Sequence, residues 1–152
     1  MLLRTHLAIG IGVALYFLPF VSNEWSFVPI VIFASLLPDA GSGFSLMGKR
    51  KIFKSAQLLT GGRGLLHTYT FCVGASLLLA FIFPVSALPF FVGYSFHLLA
   101  DSFTKEGIRP FWPIKGISSG IVGTGGTTDK ALFITFVIID IILLITTFAR
   151  LF

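Results

Sequence analysis

Charge is what this sequence has least of. Asp, Glu, Lys and Arg make up 11% of its 152 residues, against about 25% in a soluble domain. It carries one cysteine, Cys72, so an internal disulfide is excluded. No internal repeat is visible. The Gly-, Ser- and Thr-rich stretch 116–126 lacks the Lys-Ser/Thr of a P-loop and follows no strand. It reads as a flexible loop rather than a phosphate cradle. What is present is apolar: 55% of the residues are hydrophobic and the mean hydropathy is +0.96. A fold of this size has too little interior to hide so much apolar surface. Lipid is therefore its solvent, and the expected fold class is an all-α integral membrane protein with a single membrane-embedded domain.

Apolar segments at 5–21, 25–38, 65–83, 85–103 and 131–149 predict about five transmembrane helices. A span needs roughly 17 to 25 residues. The second segment is short and contains Pro29, which predicts a tilted, broken or re-entrant helix. Arg4 followed by an apolar run resembles a signal peptide, but no small-x-small cleavage site follows and His6 opens the run. It reads as an uncleaved first helix.

The net charge of +5 is unevenly placed. Lys49, Arg50, Lys51, Lys54 and Arg63 fall in the stretch 40–64, and Lys105, Arg109, Lys115 and Lys130 in the stretch 104–130. The short connections at 22–24 and 84–86 hold no Lys or Arg. The positive-inside rule then predicts a multi-pass inner-membrane protein with its N-terminus and both long loops in the cytoplasm. The C-terminus falls outside, where Arg150 fits the rule poorly and must snorkel. The cluster Lys49, Arg50, Lys51 and Lys54 has little aromatic interleaving. It reads as a topology signal and a contact for anionic headgroups, with no nucleic acid among the expected partners.

On that topology the polar residues converge. His6 opens the first segment, Asp39 closes the second, Arg63 and His67 straddle the start of the third, and His97 and Asp101 end the fourth. All three histidines and two of the six acids thus meet at the cytoplasmic ends of the first four helices. The topology follows from Lys and Arg alone, so the convergence is independent of it. His97 and Asp101 are four apart, on one helix face, and Arg63 and His67 repeat the spacing. Imidazole with carboxylate suits zinc, and also manganese or iron. Such a set holds one divalent ion, or two bridged by a carboxylate. Each residue also has a plainer reading. His6 alone is an interfacial histidine, Asp39 a helix end after Pro38, and His97/Asp101 a hydrogen-bonded packing pair. Against the last stands the cost of an ionisable group in a membrane helix, about 2.5–3.5 kcal/mol, which a cation offsets. Asp140, midway along the fifth segment, reads either as a relay or as a protonated acid bonded to a neighbouring hydroxyl such as Ser76.

These residues carry a family resemblance. Thr5-His6-Leu7, Leu36-Leu37-Pro38-Asp39, Arg63-Gly64-Leu65-Leu66-His67-Thr68 and the block Gly93–Thr104, with Gly107 and Pro113 beyond, resemble the YdjM-like family of inner-membrane metal-dependent hydrolases. That family is distantly similar to zinc-dependent phospholipase C and nuclease P1. The resemblance implies metal ligands at His6, Asp39, His67, His97 and Asp101, and hydrolysis as the activity. Two departures, Ala40-Gly41-Ser42 where the family continues with Asp and often His, and Gly62 where it often has His, imply fewer ions or an inactive member.

The expected function is a membrane-bound hydrolase of a phosphoester, with membrane lipid as solvent and as substrate. Asp39 and Asp101 serve as ligands or proton acceptor, and Arg63 as the partner of the phosphate. The rivals are a small cation or proton-linked transporter using Asp140 as a relay, and a non-catalytic scaffold stapled by metal.

Overall fold

A computed structural model of the protein describes residues 1–41 and 64–149. Among the described residues there are five α-helices and no strands: α1 Leu3–Phe17, α2 Glu24–Leu36, α3 Tyr69–Ile82, α4 Pro84–Ser102 and α5 Thr127–Ala149. Two of the described segments are long and apolar enough to cross a membrane, Leu3–Phe20 and Thr127–Ala149. The 23 residues of α5 extend about 34 Å at 1.5 Å each, enough for a hydrocarbon core of about 30 Å.

Local chemistry sets most boundaries. α1 tightens into a 3₁₀ turn, Leu18–Phe20, at Pro19. The Asn23 side chain caps α2 by accepting from Ser26 N at 3.4 Å, and Glu24 complements the positive end of that helix. Pro29 neither breaks nor ends α2, which runs through it for 13 residues. A 3₁₀ turn, Pro38–Gly41, follows. Thr68 caps α3, its hydroxyl accepting from Phe71 N at 3.0 Å. Only Phe83 separates α3 from α4, which starts at Pro84, where a missing N–H costs nothing.

α4 is the central helix, packed on α1, α2 and α3, while α5 packs on α1. One part of the core joins Ile9 and Val13 of α1, Phe27 and Val31 of α2 and Val92 of α4. Another joins Cys72 of α3 with Phe90, Tyr94 and Leu98 of α4. Two glycines allow the tightest crossings. A Cβ on Gly93 would collide with the backbone of Val31, and one on Gly10 with the side chain of Ser35. α5 is the least enclosed helix, with Asp129 in its first turn as its one buried residue. Its outer face shows Ile134, Ile138, Ile141, Ile142 and Ile145, as a lipid-facing helix does.

The connection from α4 to α5 is not the loose loop its composition suggests. Isolated bridges pair Thr104 with Val122 and Ile108 with Ser118, the latter exchanging N–H···O bonds of 2.8 and 2.9 Å. Gly107, at φ +62°, makes the turn between them possible. The backbone N–H of Tyr69 donates to Pro110 O at 2.7 Å, tying the connection to the start of α3.

Candidate metal centre

The two glycine crossings place the cluster. His6 lies one turn before Gly10 on α1, and His97 one turn after Gly93 on α4. Ser35, opposite Gly10, is four residues before Asp39. Bringing α1 and α4 hard against α2 therefore brings His6, Asp39 and His97 to one end of the bundle. Asp101 follows His97 by one turn, and His67 arrives on the 3₁₀ turn Leu65–His67 ahead of α3. All five residues meet.

Their geometry has two sides. His67 Nε2 lies 3.4 Å from Asp39 Oδ1 and 3.8 Å from Asp101 Oδ2. His97 Nε2 lies 4.0 Å from Asp39 Oδ1 and 3.7 Å from Asp101 Oδ2. His6 Nε2 instead faces the other oxygens, Asp101 Oδ1 at 3.2 Å and Asp39 Oδ2 at 3.9 Å. The His6 and His97 rings stack at 3.9 Å between centroids. Asp39, His67, His97 and Asp101 each offer one donor atom within 4.8 Å of the others, a set that could hold a metal ion.

Burial makes the arrangement costly without a cation. His6, His97 and Asp101 are each about 1% exposed, while Asp39 keeps 19% of its side chain open. Among the described residues, Nδ1 of His6 and Nε2 of His97 have no hydrogen-bond partner, and His6 Nε2 faces only the carboxylates. Orphaned buried polar atoms are rare because each forfeits hydration without compensation. Imidazole and carboxylate donors are what zinc, manganese or iron accept, so the residues fit a divalent ion. At Asp39 burial works to raise the carboxyl, but a hydrogen bond from His67 and the proximity of His97 and His6 outweigh it. The group stays ionised below its ordinary range.

The surrounding contacts orient the donors. His97 Nδ1 lies 2.7 Å from the carbonyl oxygen of Ser35. A carbonyl only accepts, so Nδ1 carries the proton and, in the neutral ring, Nε2 keeps its lone pair turned into the cluster. Pro38, three residues after Ser35, has no N–H to compete for that oxygen. Tyr94 OH donates to Leu66 O, holding the turn that carries His67. Asp129 accepts from Thr5 Oγ1 at 2.7 Å, Gly125 N at 2.7 Å and Leu2 N at 3.1 Å, clamping the first turn of α1. The amino group of Met1 lies 2.7 Å from Asp101 Oδ1.

Sequence reasoning missed Ser35, Tyr94, Thr5 and Asp129. A signal existed for Tyr94, since Tyr94, His97 and Asp101 recur at i, i+3 and i+7 on one helix face. None existed for a backbone carbonyl such as that of Ser35. Arg63 and the cations Lys49, Arg50, Lys51 and Lys54 lie outside the described residues. Asp140 is not brought to the cluster. It packs against Gly12 of α1, with Oδ1 unpartnered among the described residues. Ser76, its expected partner, donates instead to Cys72 O at 2.7 Å.

Comparison with known proteins gives one family, described as "YdjM inner membrane protein", whose model matches residues 1–151. Two curated relatives, each called "Inner membrane protein YdjM", come from Escherichia coli (strain K12) and Shigella flexneri. Each is 34% identical over 100 residues, covering 60% of this chain and 51% of the relative. The chain thus spans about half the length of the curated relatives it matches. No solved structure matches it.

Proposed function

The chain belongs to the YdjM inner membrane protein family, and from that premise we propose that it is an inner-membrane, metal-dependent hydrolase of a phosphoester, with lipid as its substrate. The reading rests on one observation above all: three imidazoles and two carboxylates are packed around one point, with buried ring nitrogens left unpartnered. A helix-packing scaffold has no need of that arrangement, because apolar side chains of similar volume pack as well or better.

In this reading all five helices cross or enter the bilayer. The N-terminus and both long connections are cytoplasmic, and the cluster lies at the cytoplasmic ends of the first four helices. His67, His97, Asp39 and Asp101 hold a divalent ion, zinc first, with manganese or iron as alternatives. His6, which faces the other oxygens of the same two carboxylates, would be the added ligand were a second ion bound. A bound divalent cation supplies Lewis acidity towards a phosphoryl oxygen and makes a water acidic near neutral pH.

The chain's own residues divide the remaining work. Ser35 O fixes the His97 ring, and Tyr94 fixes the His67 turn. Asp101, enclosed on all sides, is a ligand. Asp39, at the open edge and held ionised, would offer Oδ1 to the ion and take the proton of the attacking water on its other oxygen, Oδ2. Arg63, four residues before His67, neutralises charge on the phosphate, and Lys49, Arg50, Lys51 and Lys54 gather anionic headgroups.

Elemental analysis of the detergent-purified protein beside a His97→Ala/Asp101→Ala double variant tests the reading. Zinc, manganese or iron in the wild type, lost from a still-folded variant, supports it and directs a screen of phospholipids and lipid phosphates. No metal in the wild type after reconstitution, or turnover unaffected by the double variant, overturns it.

A further inference from the structure

The connection between α4 and α5 presents a surface that its composition conceals. Residues 111–117, Phe-Trp-Pro-Ile-Lys-Gly-Ile, are all exposed. With Phe103 and Ile121 they place six large apolar side chains outside: Phe103, Phe111, Trp112, Ile114, Ile117 and Ile121. Trp112 is 46% exposed and Ile121 87%. This is not a mobile chain that could fold its apolar groups away. The bridges at Thr104–Val122 and Ile108–Ser118, and the bond from Tyr69 N to Pro110 O, hold the backbone in place. Thr104 anchors the segment from within, buried and with its hydroxyl donating to Asp101 O at 2.7 Å.

Two features identify what covers this surface. The exposed Leu99 of α4 precedes Phe103 by one turn, so the apolar surface of the connection continues that of a helix already facing lipid. The exposed cations Lys105, Arg109 and Lys115 are interleaved with the apolar groups and answered in the same segment only by Glu106, which accepts from Thr124 at 3.0 Å. Aromatic and aliphatic groups mixed with Lys and Arg match the boundary between acyl chains and anionic headgroups. Bulk water does not match it, because contiguous apolar patches are rare on surfaces bathed in water.

We propose that residues 103–121 form a preformed platform seated in the membrane interface, with its apolar side chains among the upper acyl chains and Lys105, Arg109 and Lys115 on the phosphates of anionic lipid. The connection is then a membrane-reading element at the cytoplasmic interface rather than a loop free in water. This goes beyond the hydrolase reading and does not depend on a metal.

The sequence contains a probe for the test. Trp25 and Trp112 are its two tryptophans, and Trp25 is 94% exposed, so Trp25→Phe should leave the fold intact. The full-length variant, reconstituted in vesicles of phosphatidylcholine with and without phosphatidylglycerol, reports on Trp112 alone. The platform predicts blue-shifted emission, strong quenching by lipids brominated high on the acyl chain, and weak quenching by aqueous iodide. Replacing Lys105, Arg109 and Lys115 by Gln should lower the preference for phosphatidylglycerol around Trp112 by about fivefold per cation removed. Water-like emission quenched by iodide and not by brominated lipid overturns the proposal. So does blue-shifted emission quenched by neither, which would mean that a second copy or another protein covers the surface.

Discussion

The hydroxyl of Thr5 donates to Asp129 Oδ1 at 2.7 Å, joining the first turn of α1 to the first turn of α5. His6 is the next residue along, so this bond helps fix where the His6 ring enters the cluster. Asp129 takes two more hydrogen bonds, from Leu2 N and Gly125 N, and is fully buried. Asp129→Ala strands three donors at once and should cost about 2–4 kcal/mol of stability. Thr5→Val removes one hydroxyl and should cost about 1 kcal/mol. Thermal unfolding in detergent checks both, and equal losses in the two variants would refute the shared clamp.

The two-sided geometry of the cluster makes His6 separable from the other ligands. His67 and His97 share Asp39 Oδ1 and Asp101 Oδ2, whereas His6 faces the opposite oxygens. His6→Ala should therefore leave an ion held by the remaining four donors and remove whatever is bound on the His6 side. His97→Ala should empty the first position, since it removes the donor oriented by Ser35 O. Loss of a ligand or its orienting partner typically costs at least about 10- to 100-fold in metal affinity. Titration of the metal-free protein with cobalt(II), followed by its visible spectrum, distinguishes the variants. Identical behaviour of His6→Ala and His97→Ala would contradict the division into two sides.

The meeting of His6, Asp39, His67, His97 and Asp101 was legible in the sequence because two independent signals coincide. Lys and Arg placement orients the helices, and a four-residue spacing puts His97 and Asp101 on one face. What holds those residues in place was not legible. Ser35 acts through a carbonyl that every residue possesses, and Tyr94 through a bond to another carbonyl, that of Leu66. Asp129 looks like a loop charge balancing Lys130 until α5 is seen to begin at Thr127 and to pack on α1. The same packing explains the error over Asp140. Ser76 lies at a plausible position along α3, but α5 rests on α1, so the neighbour is Gly12. The apolar platform was hidden by averaging, since glycines, serines and cations dilute Phe111, Trp112, Ile114 and Ile117 in any composition window.

Gly93 offers a test in which the sign of the effect is informative. Replacing a mid-helix glycine by alanine ordinarily stabilises a helix by about 0.5–1 kcal/mol. At Gly93 the added Cβ would meet the backbone of Val31, which cannot rotate away. Gly93→Ala should instead destabilise the protein by about 1–3 kcal/mol, the usual cost of overpacking. It should also weaken metal binding, because pushing α4 off α2 separates His97 from Asp39. Gly74, with open space around its Cα, is the internal control, and Gly74→Ala should be neutral or stabilising. Unfolding midpoints and cobalt(II) affinity measured on both variants check the pair.

Asp140 separates the hydrolase from the transporter. The carboxyl sits midway along the most exposed helix, with Oδ1 buried against Gly12 and unpartnered among the described residues. Gly12 lies six residues along α1 from His6, about 9 Å of helix rise, too far for Asp140 to share in the cluster directly. An acid at the centre of a membrane helix costs about 2.5–3.5 kcal/mol on insertion scales, so replacing it with an apolar group should relieve the protein. Asp140→Val is expected to raise the unfolding temperature and to leave metal content unchanged. Asp140→Asn should likewise leave turnover of a phosphoester substrate within about twofold, since a group outside the cluster takes no part in the proton transfer assigned to Asp39. Abolished activity in a folded, metal-loaded Asp140→Asn protein would instead give Asp140 the role of a relay, and the transporter reading would gain what the hydrolase reading lost.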